Sequence, residues 1–135
     1  MKVLVDTSVW SLALRRSSPQ DSAHVRELTE LISELRVQMV GPVRQELLSG
    51  IRHQKQFESL RDHLRPFPDL IIEREEYEYA AEIFNTLRSK GVQASNTDIL
   101  LCSTSIRRKM PFFTIDNDFI HIAKHILLEL HQPRG

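Results

Sequence analysis

The sequence predicts an α/β fold built on a mainly parallel sheet. Short β-rich runs alternate along the chain with longer stretches of helical spacing. The short runs are apolar throughout, as in strands covered by helices on both faces. Breakers are sparse and fall between these runs, at Gly41-Pro42, Pro66 and Pro68, Gly91 and Pro111.

The elements follow in order. Val3-Leu4-Val5 is a buried-strand candidate. From Asp21 to Leu35 the apolar residues Val25, Leu28, Leu31, Ile32 and Leu35 keep helical spacing. Residues 37–40 form a second strand, closed by Gly41-Pro42. Pro42 suits the first turn of the next helix, where an amide hydrogen is not needed; this helix runs through Glu46 and ends near Gly50. Another covers about 54–64 until Pro66 and Pro68 break it. Leu70-Ile71-Ile72 is a third strand. Glu75 to Lys90 is a long helix with Gly91 as its C-cap. Ser95-Asn96-Thr97-Asp98 caps a helix reaching about Arg108. Pro111 introduces a fourth strand, Phe112-Phe113-Thr114-Ile115, followed by a helix from about Asp118 to His125 and a last short strand at 126–130.

At 135 residues the chain suits a single domain spanning 1–135, which buries roughly two-thirds of its unfolded surface and folds without staples. Lys plus Arg number 18 and Asp plus Glu 18, so bulk charge points to neither nucleic acid nor membrane. Cys102 is the one cysteine, so no disulfide closes within the chain; inside Ile99-Leu100-Leu101-Cys102 it reads as a small buried hydrophobe, and a reducing compartment is the simplest fit. No apolar run approaches the ~20 residues of a membrane span. The opening run meets Asp6 too soon for a signal peptide. A cytoplasmic protein without a membrane partner is expected.

Open parallel sheets bind ligands beyond the C-terminal ends of their strands. Asp6-Thr7-Ser8 directly follows the first strand, and Asp116-Asn117-Asp118 directly follows the fourth, so both clusters lie at one sheet edge. Glu46 comes from the helix after the second strand and Asp98 from the start of the helix before the fourth. Singly, each acid has a structural reading: Asp6 as a turn residue, Asp98 and Asp118 as acids favoured by a helix dipole, Glu46 as one helix glutamate among many. Jointly, converging carboxylates raise one another's pKa unless a cation neutralises them. All-oxygen ligands favour Mg²⁺ or Mn²⁺ over Zn²⁺, and phosphodiester hydrolysis is the chemistry such a site suits.

These residues resemble a known family. Val5-Asp6-Thr7-Ser8-Val9-Trp10, Glu46-Leu47-Leu48-Ser49-Gly50, Asp98-Ile99-Leu100-Leu101-Cys102 and Phe113-Thr114-Ile115-Asp116-Asn117-Asp118-Phe119 look like the successive acidic blocks of PIN-domain ribonucleases, in the family's order and across nearly the whole chain. The chain looks most like the toxin of a type II toxin–antitoxin pair, of the virulence-associated protein C kind. The resemblance implies a three-layer α/β/α fold with sheet order 3-2-1-4-5, which makes strands one and four neighbours. It implies that Asp6, Glu46, Asp98 and Asp116 form the catalytic quartet, that Asp6, Asp98 and Asp116 with Asp118 hold Mg²⁺ or Mn²⁺, and that Thr7 or Ser8 supplies a supporting hydroxyl. It further implies endoribonuclease cleavage of tRNA or ribosomal RNA, a homodimer, and inhibition by a small antitoxin whose C-terminal segment lies across the active-site groove.

Basic residues cluster at Arg15-Arg16, at Arg52-His53 with Lys55, and at Arg107-Arg108-Lys109. Arg52, near Glu46, is the best candidate for an RNA phosphate contact; Arg107 to Lys109 also suit the C-terminal end of a helix. His121 and His125 have the spacing of a zinc-protease helix but lack the glutamate after the first His. Asp116-Asn117-Asp118 fails as a calcium loop, since His121 replaces the glycine and Leu127 the closing glutamate. Trp10 reads as core or interface. A phosphoaspartate-handling protein fits poorly, because Ser8 stands where a phosphatase needs a second Asp. A non-catalytic PIN-type module binding RNA or protein is the alternative, and the complete acidic set argues against it.

Overall fold

Strand β1 (Val3–Val5) lies between parallel neighbours, pairing Val3 with Val37 of β2 (Val37–Val40) and Val5 with Phe113 of β4 (Phe112–Phe113). β2 pairs in turn with the short β3 (Asp69–Leu70), so the sheet order is β3-β2-β1-β4, all parallel. Successive strand residues face opposite sides, and Val3, Leu4 and Val5 are all 0% exposed. Both faces of the sheet are therefore covered. The computed structural model describes residues 1–15 and 22–135.

Among the described residues seven helices complete the fold: α1 (Thr7–Leu14), α2 (Ala23–Ser33), α3 (Gly41–Leu48), α4 (Gln54–Leu64), α5 (Arg74–Ser89), α6 (Asn96–Arg107) and α7 (Asn117–Ile122). α1 packs on α2 and α3, α3 on α4, and α5 pairs with α6. A continuous apolar core joins them to the sheet, with Phe112, Phe113 and Phe119 among its largest buried side chains. Trp10 belongs to this core, edge-on to Phe67 at 5.2 Å. No helix of the described residues is long and apolar enough to cross a membrane.

Four boundaries differ from the expected ones, each for a local reason. Residues 7–14 are helical rather than a post-strand turn, because Asp6 takes an N-cap conformation and Val9 and Trp10 bury themselves one step later. The third strand stops at Leu70; Ile71 points into solvent and its carbonyl accepts a bond from Arg108. The fourth strand stops at Phe113, because the backbone amides of Ile115 and Asp116 turn to the hydroxyls of Ser8 and Thr114. The expected last strand is reduced to one parallel bridge, Phe112 to Leu130, with bonds of 2.8 Å on either side of it. That bridge sits beyond β4, where a fifth strand of the order 3-2-1-4-5 belongs. The expected helix start at Asp21 lies outside the described residues.

Two buried acids hold the helices in place. Glu76, 0% exposed, takes Arg107, the last residue of α6, and Arg108, its C-cap, and closes the capping box with Glu73 at the start of α5. Glu27 of α2, 2% exposed, accepts His131 Nε2 at 2.7 Å and Arg134 Nε at 2.8 Å from the C-terminal segment. Burial opposes the Glu27 charge, but bonding to Arg134 and His131 outweighs it and holds the carboxyl at about 2. Arg134→Ala should therefore lower the urea midpoint at neutral pH, with His131 left as the remaining side-chain partner of Glu27. A carboxyl whose folded pKa is depressed contributes fully above its unfolded value of 4.5 and loses that contribution as pH falls toward 2. The gap between wild type and variant should narrow over that window.

Candidate active site

The C-terminal ends of β1 and β4 are adjacent, and the side chains that follow them meet. Asp6, 4% exposed, is the N-cap residue of α1, yet its carboxylate makes no cap bond there. It turns instead to two hydroxyls: Ser8 donates to Oδ2 at 2.7 Å and Thr114 donates to the same oxygen at 2.8 Å. Each hydroxyl oxygen accepts a backbone amide in return, Ile115 on Ser8 and Asp116 on Thr114. This closed set of bonds fixes Asp6 against the backbone that leads into Asp116.

The other acids are set by helix ends. Asp116 caps α7, its Oδ1 accepting the Asp118 amide at 2.9 Å. Asp98 lies in the first turn of α6, where Ser95 Oγ takes its amide at 3.1 Å. Glu46 projects from α3 and accepts Thr7 Oγ1 at 3.3 Å. Burial pushes the Asp98 carboxyl up; the Ser95 contact pulls it back, and the charges of Asp6, Glu46 and Asp116 push it further, to about 6 from 3.8. Four acids from four elements thus gather at one edge of the sheet, and the charges of three of them act on Asp98. Asp118 is exposed and joins the group through its amide bond to Asp116. Cys102, one turn along α6 from Asp98, is fully buried; burial, then the charges of Asp98 and Asp6, push its thiol up to about 12, so it packs as an inert small hydrophobe.

Among the described residues no three His, Cys, Asp or Glu side chains form a ready-made metal cage. The donor set nevertheless suits a hard divalent cation. It is all oxygen, its members repel one another, and Mg²⁺ commonly binds through one or two carboxylates while keeping several waters.

A family model described as PIN domain matches residues 3–125. The chain belongs to the PIN-domain family. Among curated proteins it finds no significant match. The fold of this PIN domain is shared with solved structures at low identity. It is similar to FitAcB from Neisseria gonorrhoeae (TM-score 0.79, 21% identity, 97% of each chain covered). It is similar to VapBC2 from Rickettsia felis bound to a promoter DNA fragment (TM-score 0.79, 19% identity, 97% of this chain and 98% of that one). VapBC-5 from Mycobacterium tuberculosis, a member of the VapBC family of toxin-antitoxin systems, matches with TM-score 0.70 and 17% identity over 97% of this chain and 98% of that one.

The structure brings Asp6, Glu46, Asp98 and Asp116 together as the sequence suggested, with Thr7 and Ser8 both bonded to acids. Thr114 is the site residue that sequence reasoning did not single out. Its signal was position: one residue past β4, beside the strand that carries Asp6. Arg107 and Arg108 of the PIN domain are held by Glu76 and Glu73. Arg52 is exposed between α3 and α4, with His53 and Lys55 beside it. Arg15 is exposed at the end of α1, while Arg16 lies outside the described residues. His121 and His125 stand edge to face, ring centres 5.3 Å apart.

An acid whose folded pKa is raised weakens the fold at pH values where it is ionised. Stability should therefore fall as pH rises from about 4 through the Asp98 value of about 6. Asp98→Asn should remove this cost in chelator-treated protein. The full shift corresponds to ~3 kcal/mol, which solvent around half-exposed Asp98 screens to about 1 kcal/mol. Thermal melts at pH 4.5 and 7.5 check this: the variant should gain more at the higher pH.

Proposed function

We propose that this PIN domain is a Mg²⁺- or Mn²⁺-dependent endoribonuclease that cleaves tRNA or ribosomal RNA as the toxin of a toxin–antitoxin pair, blocking translation and growth. The observation that carries this is the meeting of Asp6, Glu46, Asp98 and Asp116, where burial first and then the charges of the other three raise the Asp98 carboxyl to about 6. Among the described residues the salt bridges do not reach these four acids, although other buried acids are paired. A site that gathers negative charge with no salt-bridging cation among the described residues suits a divalent cation and a phosphate.

Asp6, Asp98 and Asp116 are the residues to hold the cation, with Asp118 at the outer rim. When bound, it supplies charge neutralisation at the phosphate and a lowered pKa for water. The chain's own residues do the positioning. Ser8 and Thr114 direct both hydroxyl protons to Asp6 Oδ2 and so lock the orientation of that carboxylate. Thr7 steadies Glu46, which closes the pocket on the α3 side. Arg52 grips an RNA phosphate beyond Glu46. The reaction is hydrolysis: water adds to phosphorus in line and O3′ leaves.

The similarity to a VapBC family member supports a small antitoxin partner; a homodimer is part of the same reading. A groove of about 530 Å³ between α1, α3 and α4, lined by Leu14, Leu47 and Leu60 with Arg15 and His63, suits the apolar part of an antitoxin segment.

Purified protein freed of antitoxin should cut tRNA or ribosomal RNA at discrete sites with Mg²⁺ or Mn²⁺ and fail with EDTA. Asp6→Asn and Asp98→Ala should each lose about 100-fold or more in rate, the scale of losing a group that stabilises transition-state charge. Thr114→Val should stay folded and lose about tenfold, as Asp6 loses one of its two hydroxyl partners. Full activity in Asp6→Asn would remove the site assignment. Metal binding without cleavage of any RNA would favour the non-catalytic binding module.

A further inference from the structure

Beside the acids, on the side of β4 away from β1, a pocket of about 190 Å³ opens between the start of α2, residues 114–115, α7 and the segment 130–132. We propose that it is a subsite for one unstacked, pyrimidine-sized RNA base next to the scissile phosphate; this rests on the ribonuclease reading above. Thr114 is the shared wall. It lines the pocket and bonds Asp6 at 2.8 Å, so a base seated there lies within a nucleotide's reach of the acids.

The lining has the chemistry of a base site. His24 and His131 supply flat aromatic rings, Ile115 and Ile120 supply apolar contact, and Gln132 supplies an amide with both donor and acceptor. Proteins that read single-stranded RNA seat bases against aromatic rings, histidine included, and read their edges with such groups. Both imidazoles are held before any ligand arrives. The fully buried Phe113 lies behind them, stacked with His24 (5.9 Å, 23°) and edge-on to His131 (5.3 Å, 71°). His131 is also tied to the buried Glu27 at 2.7 Å. The space is ring-sized, since a cavity of ~150 Å³ is enough to hold benzene.

Two measurements test the proposal separately from the nuclease reading. In the first, UMP, CMP, AMP, GMP and ribose 5-phosphate are titrated into the intact protein by NMR. UMP or CMP should move the Gln132 side-chain amide and the His24 and His131 ring signals more than the purine nucleotides do. Ribose 5-phosphate should leave them in place. Equal shifts with ribose 5-phosphate, or none with any nucleotide, overturn the subsite. In the second, His24→Ala and Gln132→Ala are compared with wild type in RNA cleavage. KM should rise about tenfold with kcat little changed, the scale of one lost base contact, and the preferred cut site should broaden. His24→Phe keeps a flat ring and should restore KM, which a merely structural loss would not allow. Unchanged KM and cut sites in both alanine variants overturn the subsite while leaving the nuclease standing. Pyrimidine-specific shifts without any cleavage keep the subsite and overturn the nuclease.

Discussion

The parallel pairing of β1 with β4 is the constraint on which the site depends. Its register sets Val5 against Phe113, and the Asp6 amide bonds the Phe113 carbonyl at 2.9 Å. One residue beyond each strand, the chain delivers Asp6 and Thr114 to the same point, where they bond. A shift of register by one residue would reverse the facing of every side chain in the strand. The complete burial of Val3, Leu4 and Val5 resists that shift. The apolar core thus fixes the position of the most buried acid of the site.

The protein treats its acids in two ways. Glu27 and Glu76 are buried deeply and matched: Glu27 with the Arg134 guanidinium and a hydrogen bond from His131, Glu76 with Arg107 and Arg108. Their surroundings make ionisation tolerable inside the core. At the end of the sheet the opposite holds. Asp98 is raised by burial and by three neighbouring carboxylates, while hydroxyls and amides, which can orient a carboxylate but carry no full positive charge, serve as partners for the cluster. Local physical rules are broken where a chain works on a substrate, and the cost is met by stability elsewhere. The carboxyl held at about 2 is neutralised by its partners, whereas the one raised to about 6 lies in the acidic cluster of the candidate site.

The legible part of the site was the part written at element ends. Asp6, Asp98 and Asp116 each stand where a strand stops or a helix starts, and those positions follow from apolar spacing and capping residues in the sequence. The resemblance of the acidic blocks added the strand order that makes them neighbours. Thr114 stands inside the closing acidic block, but its role was not legible there, because it comes from what lies across the sheet. Arg107 and Arg108 were ambiguous for the same reason. A cation at a helix end suits a phosphate or a carboxylate equally, and the arrival of Glu76 from α5 settles it. The short α1 and the one-residue bridge at Leu130 gave weak periodic signals because each is too brief to show a repeat.

By itself the sequence determined the α/β class, most of the helices, the strands that form the sheet, and the acids placed at one edge of it. These depend on local spacing, capping and breaker residues, which neighbouring positions encode. Tertiary structure decided which oxygen of Asp6 its hydroxyl partners hold, which arginines are committed to buried acids, and that a ring-sized pocket lies between α2, α7 and the C-terminal segment. Those facts depend on contacts between residues far apart in the chain, from Glu76 with Arg107 to Ser8 with Thr114 or Glu27 with His131. No local pattern records such contacts, because they exist only once the core has packed.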